Sequence, residues 1–313
     1  MTAIPLGGGA EFDRIRAIAQ RLGPRAGVLG EDCALVEIGE TFLALSTDVS
    51  VEGVHFRREW LSLEEIGWRA TAAALSDLAA AGASVLGVLA ALTVPPEEPA
   101  ATFPALMDGA GNAVSSVGGM VLGGDLSRGP VLSLAMTVVG RTSLPAHRHG
   151  ARPGDGLWVT GALGGARAAL LAWQNGRQPT DGARARFARP EPRIDQGGWL
   201  VARGARAMLD LSDGLAADAG HLAAASGVAL RIDLDLVPAD PAARDEAGRS
   251  GESPGIFAAR GGEDYELLAA MPPEFEGTDR FELIRIGSVE AGSGAHLLRD
   301  GAEVRLAGYD HFA

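Results

Sequence analysis

Lysine is missing from this chain: all 27 of its basic side chains are arginine. No Walker-A lysine, no lysine of the protein-kinase type and no Schiff-base lysine is therefore possible. Phosphates can be handled only by metal ions, arginine and backbone N–H groups. Cysteine is nearly missing too. Cys33 stands alone, so no intrachain disulfide forms and a reducing compartment is expected. Long apolar runs are lacking. The longest, Val85–Val94, is too short to span a bilayer. The first residues show no basic segment leading into an apolar core. The expectation is a cytoplasmic protein with no membrane contact. Acidic residues outnumber basic ones, 40 to 27, for a formal charge of −13. That disfavours a nucleic-acid partner. There is no H-R-D or D-F-G set, no C-x-x-C, no H-E-x-x-H and no G-x-S-x-G, and no internal repeat or low-complexity tract.

What is present fits two domains. A length of 313 residues allows them, and 47% hydrophobic with 21% charged residues is an ordinary globular mix. Glu11–Leu22 has helical spacing and stops at Gly23-Pro24. An acidic loop, Gly27–Asp32, leads to a strand over Cys33–Ile38 and a hairpin at Gly39-Glu40. The returning strand, Phe42–Leu45, opens into Ser46-Thr47-Asp48 and a loop carrying His55. Ser62 and Glu65 form a capping box that starts a helix running to about Ala81. A strand over Leu86–Val94, a helix over Ala101–Val117, a short strand at Met120–Leu122 and a strand over Val131–Val139 follow. Gly140–Pro153, with Arg141, Arg148 and Arg152, reads as the link, which places the domains at residues 1–145 and 146–313.

Beyond the link, the strand Leu157–Thr160 turns through Gly161–Gly165 into the helix Ala166–Trp173. That turn is either a phosphate cradle at a helix N-terminus or a close-packing turn. Gly176–Pro192 is a polar, Arg-rich excursion. Gln196–Ala207 has helical spacing. Met208–Leu211 is a strand that ends in Ser212-Asp213-Gly214, where Ser212 or Asp213 can cap the next helix, through Ala225. Val228–Leu234, Glu266–Ala270, a stretch near Leu283–Gly287 and two short C-terminal segments read as strands.

Acids recur at element ends beside glycine or hydroxyl residues: Asp32, Asp48, Asp77, Asp125, Asp210 and Asp213. Asp77 lies late in its helix, where a carboxylate opposes the helix dipole. It is either held there for a ligand or exposed on a polar edge. Two carboxylates about 4 Å apart repel by several kcal/mol at moderate effective dielectric. Divalent cations reverse that sign, and Mg²⁺ takes carboxylates together with substrate phosphates. Such a set points to phosphoryl chemistry on a nucleotide. His147-x-His149 is a possible metal pair or a solvated one.

Together the segments GEDCALV, STDVSVEGVHF, LSDLAAAGA, VLGGD, GARPGD, TGALGGARAAL, LDLSDGL, ASGVALRIDL, GGEDYELL and GYDHF resemble the thiamine-monophosphate kinase family. That family belongs to the ATP-dependent superfamily of aminoimidazole ribonucleotide synthetase. The resemblance implies an N-terminal α/β domain that dimerises through its strands and a C-terminal α+β domain. It implies a homodimer with ATP and several Mg²⁺ in the cleft between the domains, and transfer of the γ-phosphoryl group to thiamine monophosphate. Carried over motif by motif, Asp32, Ser46, Thr47, Asp48, Asp77, Asp125, Asp210 and Asp213 are metal positions, Asp210 and Asp213 being also catalytic. Gly124, Asp125, Arg148 and Ser212 are nucleotide positions. His55, Glu263 and Tyr309 are thiamine-phosphate positions. Glu31, Ala74 and Leu126 depart from the family pattern. Selenophosphate synthetase fits less well, because its N-terminal Cys and Lys are missing.

Overall fold

A computed structural model describes residues 5–27, 29–278, 280–309 and 312. Asp310 and His311 of the terminal motif lie outside the described residues. Helix α1 (Ala10–Leu22) precedes a hairpin of β1 (Ala34–Ile38) and β2 (Thr41–Val51), turned at Gly39 with φ 61°. Helix α2 (Leu63–Ala80) starts at the expected box: Ser62 Oγ accepts from Glu65 N–H, and the Glu65 carboxylate accepts from Ser62 N–H. Strand β3 (Ser84–Val94), helix α3 (Thr102–Ser116), β4 (Met120–Arg128) and β5 (Ser133–Thr142) complete the first half. The sheet order is β1-β2-β5-β3-β4, with β3 and β4 parallel across the α3 crossover.

Two strands outrun the reading of the sequence. β2 continues through Ser46–Val51 because β5 pairs with it residue for residue, from Phe42 opposite Thr142 to Val51 opposite Ser133. β1 stops at Ala34, opposite Leu45. From Ser46 onward the outer edge of β2 therefore carries no strand among the described residues. β4 likewise runs on through Gly123-Gly124-Asp125, and Gly124 is needed there: a Cβ would sit 1.9 Å from the Ala90 carbonyl oxygen of β3.

Helices α2 and α3 cover one face of this sheet. Their backbones approach closely because each offers a glycine at the crossing. A Cβ on Gly67 would lie 1.9 Å from the Leu106 carbonyl, and one on Gly109 1.9 Å from the Glu64 carbonyl. The other face is open and apolar, with Val36, Val49 and Leu89 exposed.

The second half is a seven-stranded sheet flanked by helices. In chain order it comprises β6 (Gly156–Thr160), α4 (Gly165–Gln174), α5 (Asp181–Ala188), α6 (Ile194–Ala202), β7 (Ala207–Asp210), α7 (Leu215–Ser226), β8 (Ala229–Asp233), α8 (Pro241–Ser250), α9 (Pro254–Ala259), β9 (Leu267–Met271), β10 (Leu283–Glu290), β11 (Gly294–Arg299) and β12 (Ala302–Val304). The strand order is β12-β11-β8-β10-β6-β9-β7, antiparallel except for β8 beside β11. α5 was not anticipated in the polar excursion; Thr180 caps it, and Ala183, Phe187 and Ala188 bury its inner side.

The C-terminal end of α2 joins the halves. Ala79 and Ala80 pack with Leu200, Val201, Met208 and Leu267. Gly197 of α6 rides on the α2 backbone, where a Cβ would sit 2.0 Å from the Ala79 carbonyl. This contact sets Ser76 and Asp77 against the end of β7. Among the described residues no helix is long and apolar enough to cross a membrane.

Candidate active site

The uncovered edge of β2, the end of α2, the end of β7 and the loops around α7 enclose a cleft of about 980 Å³. Alternation along β2 turns Ser46 and Asp48 toward α2, on the side of the fully buried Ala44. Ser46 Oγ donates to Asp77 Oδ2 at 2.5 Å. Ser76 donates to Asp210 at the end of β7. Asp32, Asp77 and Asp210 each offer a carboxylate oxygen, and these lie within 4.8 Å of one another. Arg148 closes one side, with Nε and Nη2 donating to Asp32 Oδ1 at 3.1 and 2.6 Å.

One guanidinium does not balance this charge. Burial, then the charge of Asp32, pushes the Asp48 carboxyl up to about 6. Burial and Asp32 push Asp210 up to about 7, against the Ser76 hydrogen bond. Asp77 is raised well above the usual range by burial and by Asp48, Asp210 and Asp32. Burial opposes the charge on Arg148, but Asp32 and its neighbours outweigh it and keep the guanidinium protonated. Hard oxygen donors crowded until they hold protons are a donor set that fits Mg²⁺, whose binding must expel those protons. Adding MgCl₂ to metal-free protein at pH 6.5 is expected to release at least about one proton per chain. Calorimetry in buffers of different ionisation enthalpy measures this; a heat independent of buffer contradicts it.

Around α7 the backbone departs from the expected cap. The N-cap is Gly214, with φ 104° and no side-chain cap. Asp218, one turn into the helix, accepts from Asp213 N–H at 3.2 Å and Gly214 N–H at 3.0 Å. Neither Ser212 nor Asp213 caps the helix, and both side chains line the cleft. The loop before β9 is bonded to this turn. Glu263 N–H donates to the Ser212 carbonyl at 2.7 Å, and Tyr265 N–H to the Leu211 carbonyl at 2.9 Å. Glu263 and Tyr265 take φ 67° and 51°, left-handed values that non-glycine residues rarely adopt outside functional loops. Arg69, buried in α2 over the Phe187 ring, pairs with the Glu263 carboxylate. Tyr309 N–H donates to the Asp213 carbonyl at 3.0 Å, so the C-terminal segment lies across the same turn.

The glycine turn before α4 settles as a packing turn. Gly164 N–H is taken by the Asp264 carboxylate at 2.8 and 2.9 Å, and a Cβ at Gly164 would lie 2.9 Å from Ala258 Cα.

Residues 30–142 match the family model of the AIR synthase related protein, N-terminal domain, and residues 152–296 that of its C-terminal domain. The thiamine-monophosphate kinases of Escherichia coli (strain K12) and Aquifex aeolicus are 38% and 35% identical to this chain, each over 96% of it and over 96% and 98% of their own lengths. The chain belongs to the thiamine-monophosphate kinase family. The solved structure of AaThiL complexed with AMPPCP and TMP matches it with a TM-score of 0.89 at 34% identity, covering 97% of both chains. The hydrogenase maturation protein HypE in complex with ATP shares the fold alone, with a TM-score of 0.70 at 17% identity.

In this thiamine-monophosphate kinase family member the cleft gathers Asp32, Ser46, Thr47, Asp48, His55, Asp77, Arg148, Asp210, Ser212, Asp213, Glu263 and Tyr309. Thr47 comes with its side chain turned to the open face of the sheet, where its hydroxyl lies 2.9 Å from Thr137 Oγ1. Gly124 and Asp125 do not line the cleft. Through the pairs Asp125–Ala91, Ala91–Ala135 and Ala135–Val49, Asp125 sits three strands from β2, roughly 14 Å at the usual strand spacing. Sequence reading passed over Ser76, Asp218, Arg69 and Tyr265. Arg69 could have been found: it stands seven residues before Ser76 on α2 and shares its helical face.

Proposed function

We propose that this chain transfers the γ-phosphoryl group of ATP to thiamine monophosphate, giving thiamine diphosphate and ADP, in the cytoplasm. The observation that carries this reading is the convergence of Asp32, Asp77 and Asp210 within 4.8 Å in a chain that has no lysine to bind phosphate. Asp32, Asp48, Asp77, Asp210 and Asp213, with Ser46 and the backbone of Thr47, would hold Mg²⁺. When bound, the ions supply the positive charge that lets two anionic phosphates approach.

The protein's own groups then bind and orient. Arg148 and Ser212 meet the nucleotide phosphates. His55, Glu263 and Tyr309 meet thiamine monophosphate, Tyr309 offering a ring face to the cationic thiazolium. The Arg69 guanidinium fixes the Glu263 carboxylate for the aminopyrimidine. The acceptor is a phosphate monoester whose second pKa is near 6, so it is anionic at about pH 7. No general base is needed, and alignment does most of the catalysis. The transfer is direct, without a phosphoenzyme.

We place the domain boundary between residues 145 and 146, in the segment joining β5 to β6. Each half carries its own sheet. The open apolar face of the first sheet supports a homodimer in which two such faces stack. A twofold axis passing between β5 and β3 sets β4 of one copy over β2 of the other. Asp125 and Gly124 then reach the cleft of the second copy, on the side where Thr47 already faces.

Incubating the purified protein with ATP, Mg²⁺ and thiamine monophosphate and resolving the products tests the activity. Thiamine diphosphate and ADP in equal amounts are expected. Free phosphate without thiamine diphosphate would make it a phosphatase, and unchanged substrates would make it a sensor.

A further inference from the structure

Glu31 does not join Asp32 in the acid cluster. Its carboxylate turns toward the segment between β5 and β6, which returns three contacts. Arg148 N–H donates to Glu31 Oε2 at 2.7 Å and fixes the carboxylate plane. His149 Nδ1 lies 2.8 Å from Oε1. His147 Nδ1 lies 3.4 Å from the same Oε1; this atom is shielded from solvent and makes no well-aligned hydrogen bond among the described residues. The two rings stand side by side, centroids 4.7 Å apart. One carboxylate oxygen and two imidazole nitrogens thus converge within 4.8 Å of one another.

We propose that Glu31, His147 and His149 bind one divalent transition-metal ion of the Zn²⁺ class, at a site separate from the magnesium positions. The spacing favours it. Zinc–ligand bonds of about 2.0–2.1 Å around a tetrahedron put neighbouring ligand atoms about 3.3 Å apart. The two Nδ1–Oε1 separations, 2.8 and 3.4 Å, bracket that edge. A plain hydrogen-bonding role accounts for His149 but leaves the buried His147 Nδ1 with only a long contact to Glu31 Oε1. A metal satisfies both nitrogens at once. The chemistry favours zinc over magnesium, because imidazole suits zinc, nickel or copper while Mg²⁺ keeps to oxygen. His149 is 48% exposed, so solvent reaches the fourth position. The Arg148 N–H bond to Oε2 plays the part of the outer hydrogen bonds that orient metal-binding carboxylates.

The site ties the loop before β1 to the segment that joins the two halves. It also straddles Arg148, whose guanidinium holds Asp32. A bound ion would clip this segment in place at the rim of the cleft, whose lining includes Glu31 and Arg148.

The test uses the full chain, freed of any histidine tag and saturated with Mg²⁺ to occupy the acid cluster. Zn²⁺ titrated by calorimetry is expected to bind at one ion per chain. His147→Ala and His149→Ala are each expected to weaken binding by about 100-fold or more. His221→Gln, which alters the separate Asp213, Asp218 and His221 group, should leave it unchanged. X-ray absorption on the wild-type zinc complex checks the ligands without relying on any variant's folding: two imidazole nitrogens at about 2.0–2.1 Å are expected. Three outcomes overturn the proposal. They are no stoichiometric binding, an affinity that His149→Ala does not change, and a shell of oxygen alone.

Discussion

Asp210→Asn is expected to lower turnover about a thousandfold and yet to stabilise the metal-free protein at pH 8. Asp210 ends β7 with only 5% of its surface exposed, facing Asp32 and Asp77. In the folded chain its pKa is pushed up to about 7, above the ordinary 3.8. A group raised in this way contributes stability that is complete below about pH 4 and lost as pH rises through about 7. Asparagine keeps the shape, and its Oδ1 still accepts from Ser76. Above pH 7 the variant therefore escapes the repulsion that the wild type carries, by roughly 1–3 kcal/mol. Below pH 4 the advantage disappears. Urea unfolding in EDTA at pH 4 and pH 8 measures both differences. Magnesium should reverse the order at pH 8, since only the wild type gains a ligand. A variant less stable than wild type in EDTA at both pH values would mean that the carboxylate is structural. Function at the cost of stability is a common pattern at active sites.

A mixture of two inactive variants, Asp125→Asn and Asp210→Asn, is expected to recover about a quarter of wild-type activity once their subunits exchange. The reason lies in where the sheet puts Asp125. On one copy it is three strands from Asp48 and faces the open side of the sheet. Only a second copy stacked on that side brings it to the cleft. In a mixed dimer one cleft then combines intact Asp210 from one copy with intact Asp125 from the other, while the second cleft has lost both. Random exchange makes half the dimers mixed, with one of two sites working. If Asp125 instead serves its own chain, each cleft keeps one lesion and the mixture stays inactive. Leu89→Arg, on the same exposed face, should give a monomer by sedimentation and lose activity with it.

Much of the site was legible because metal-binding chemistry restricts residue type. Carboxylates beside glycine and hydroxyl residues at Asp32, Ser46–Asp48, Asp77 and Ser212-Asp213 stand out in any chain, and the fold brings all of them to one cleft. Their secondary structure was less legible. Ser46–Asp48 reads as a strand end because its polar residues break the apolar run, yet pairing with β5 holds it extended. Strand pairing between distant segments overrides local composition. The cap of α7 was misassigned for a related reason. A carboxylate just before a helix looks like a cap, but Asp218 reaches back from inside the helix and does the work. The Arg69–Glu263 pair and the Glu31–His147–His149 group join segments far apart in sequence, and no local periodicity marks them. α5 hid in a polar stretch because its buried face is only three residues.

The central claim is that the crowded acids are a seat for divalent cations between two phosphate substrates. Anomalous diffraction from crystals grown with Mn²⁺, a non-hydrolysable ATP analogue and thiamine monophosphate tests it most directly. Manganese peaks bonded to oxygens of Asp32, Asp77 and Asp210, with the nucleotide's phosphates beside them, are the predicted result. A nucleotide bound in the cleft with no manganese peak among these three carboxylates would contradict it.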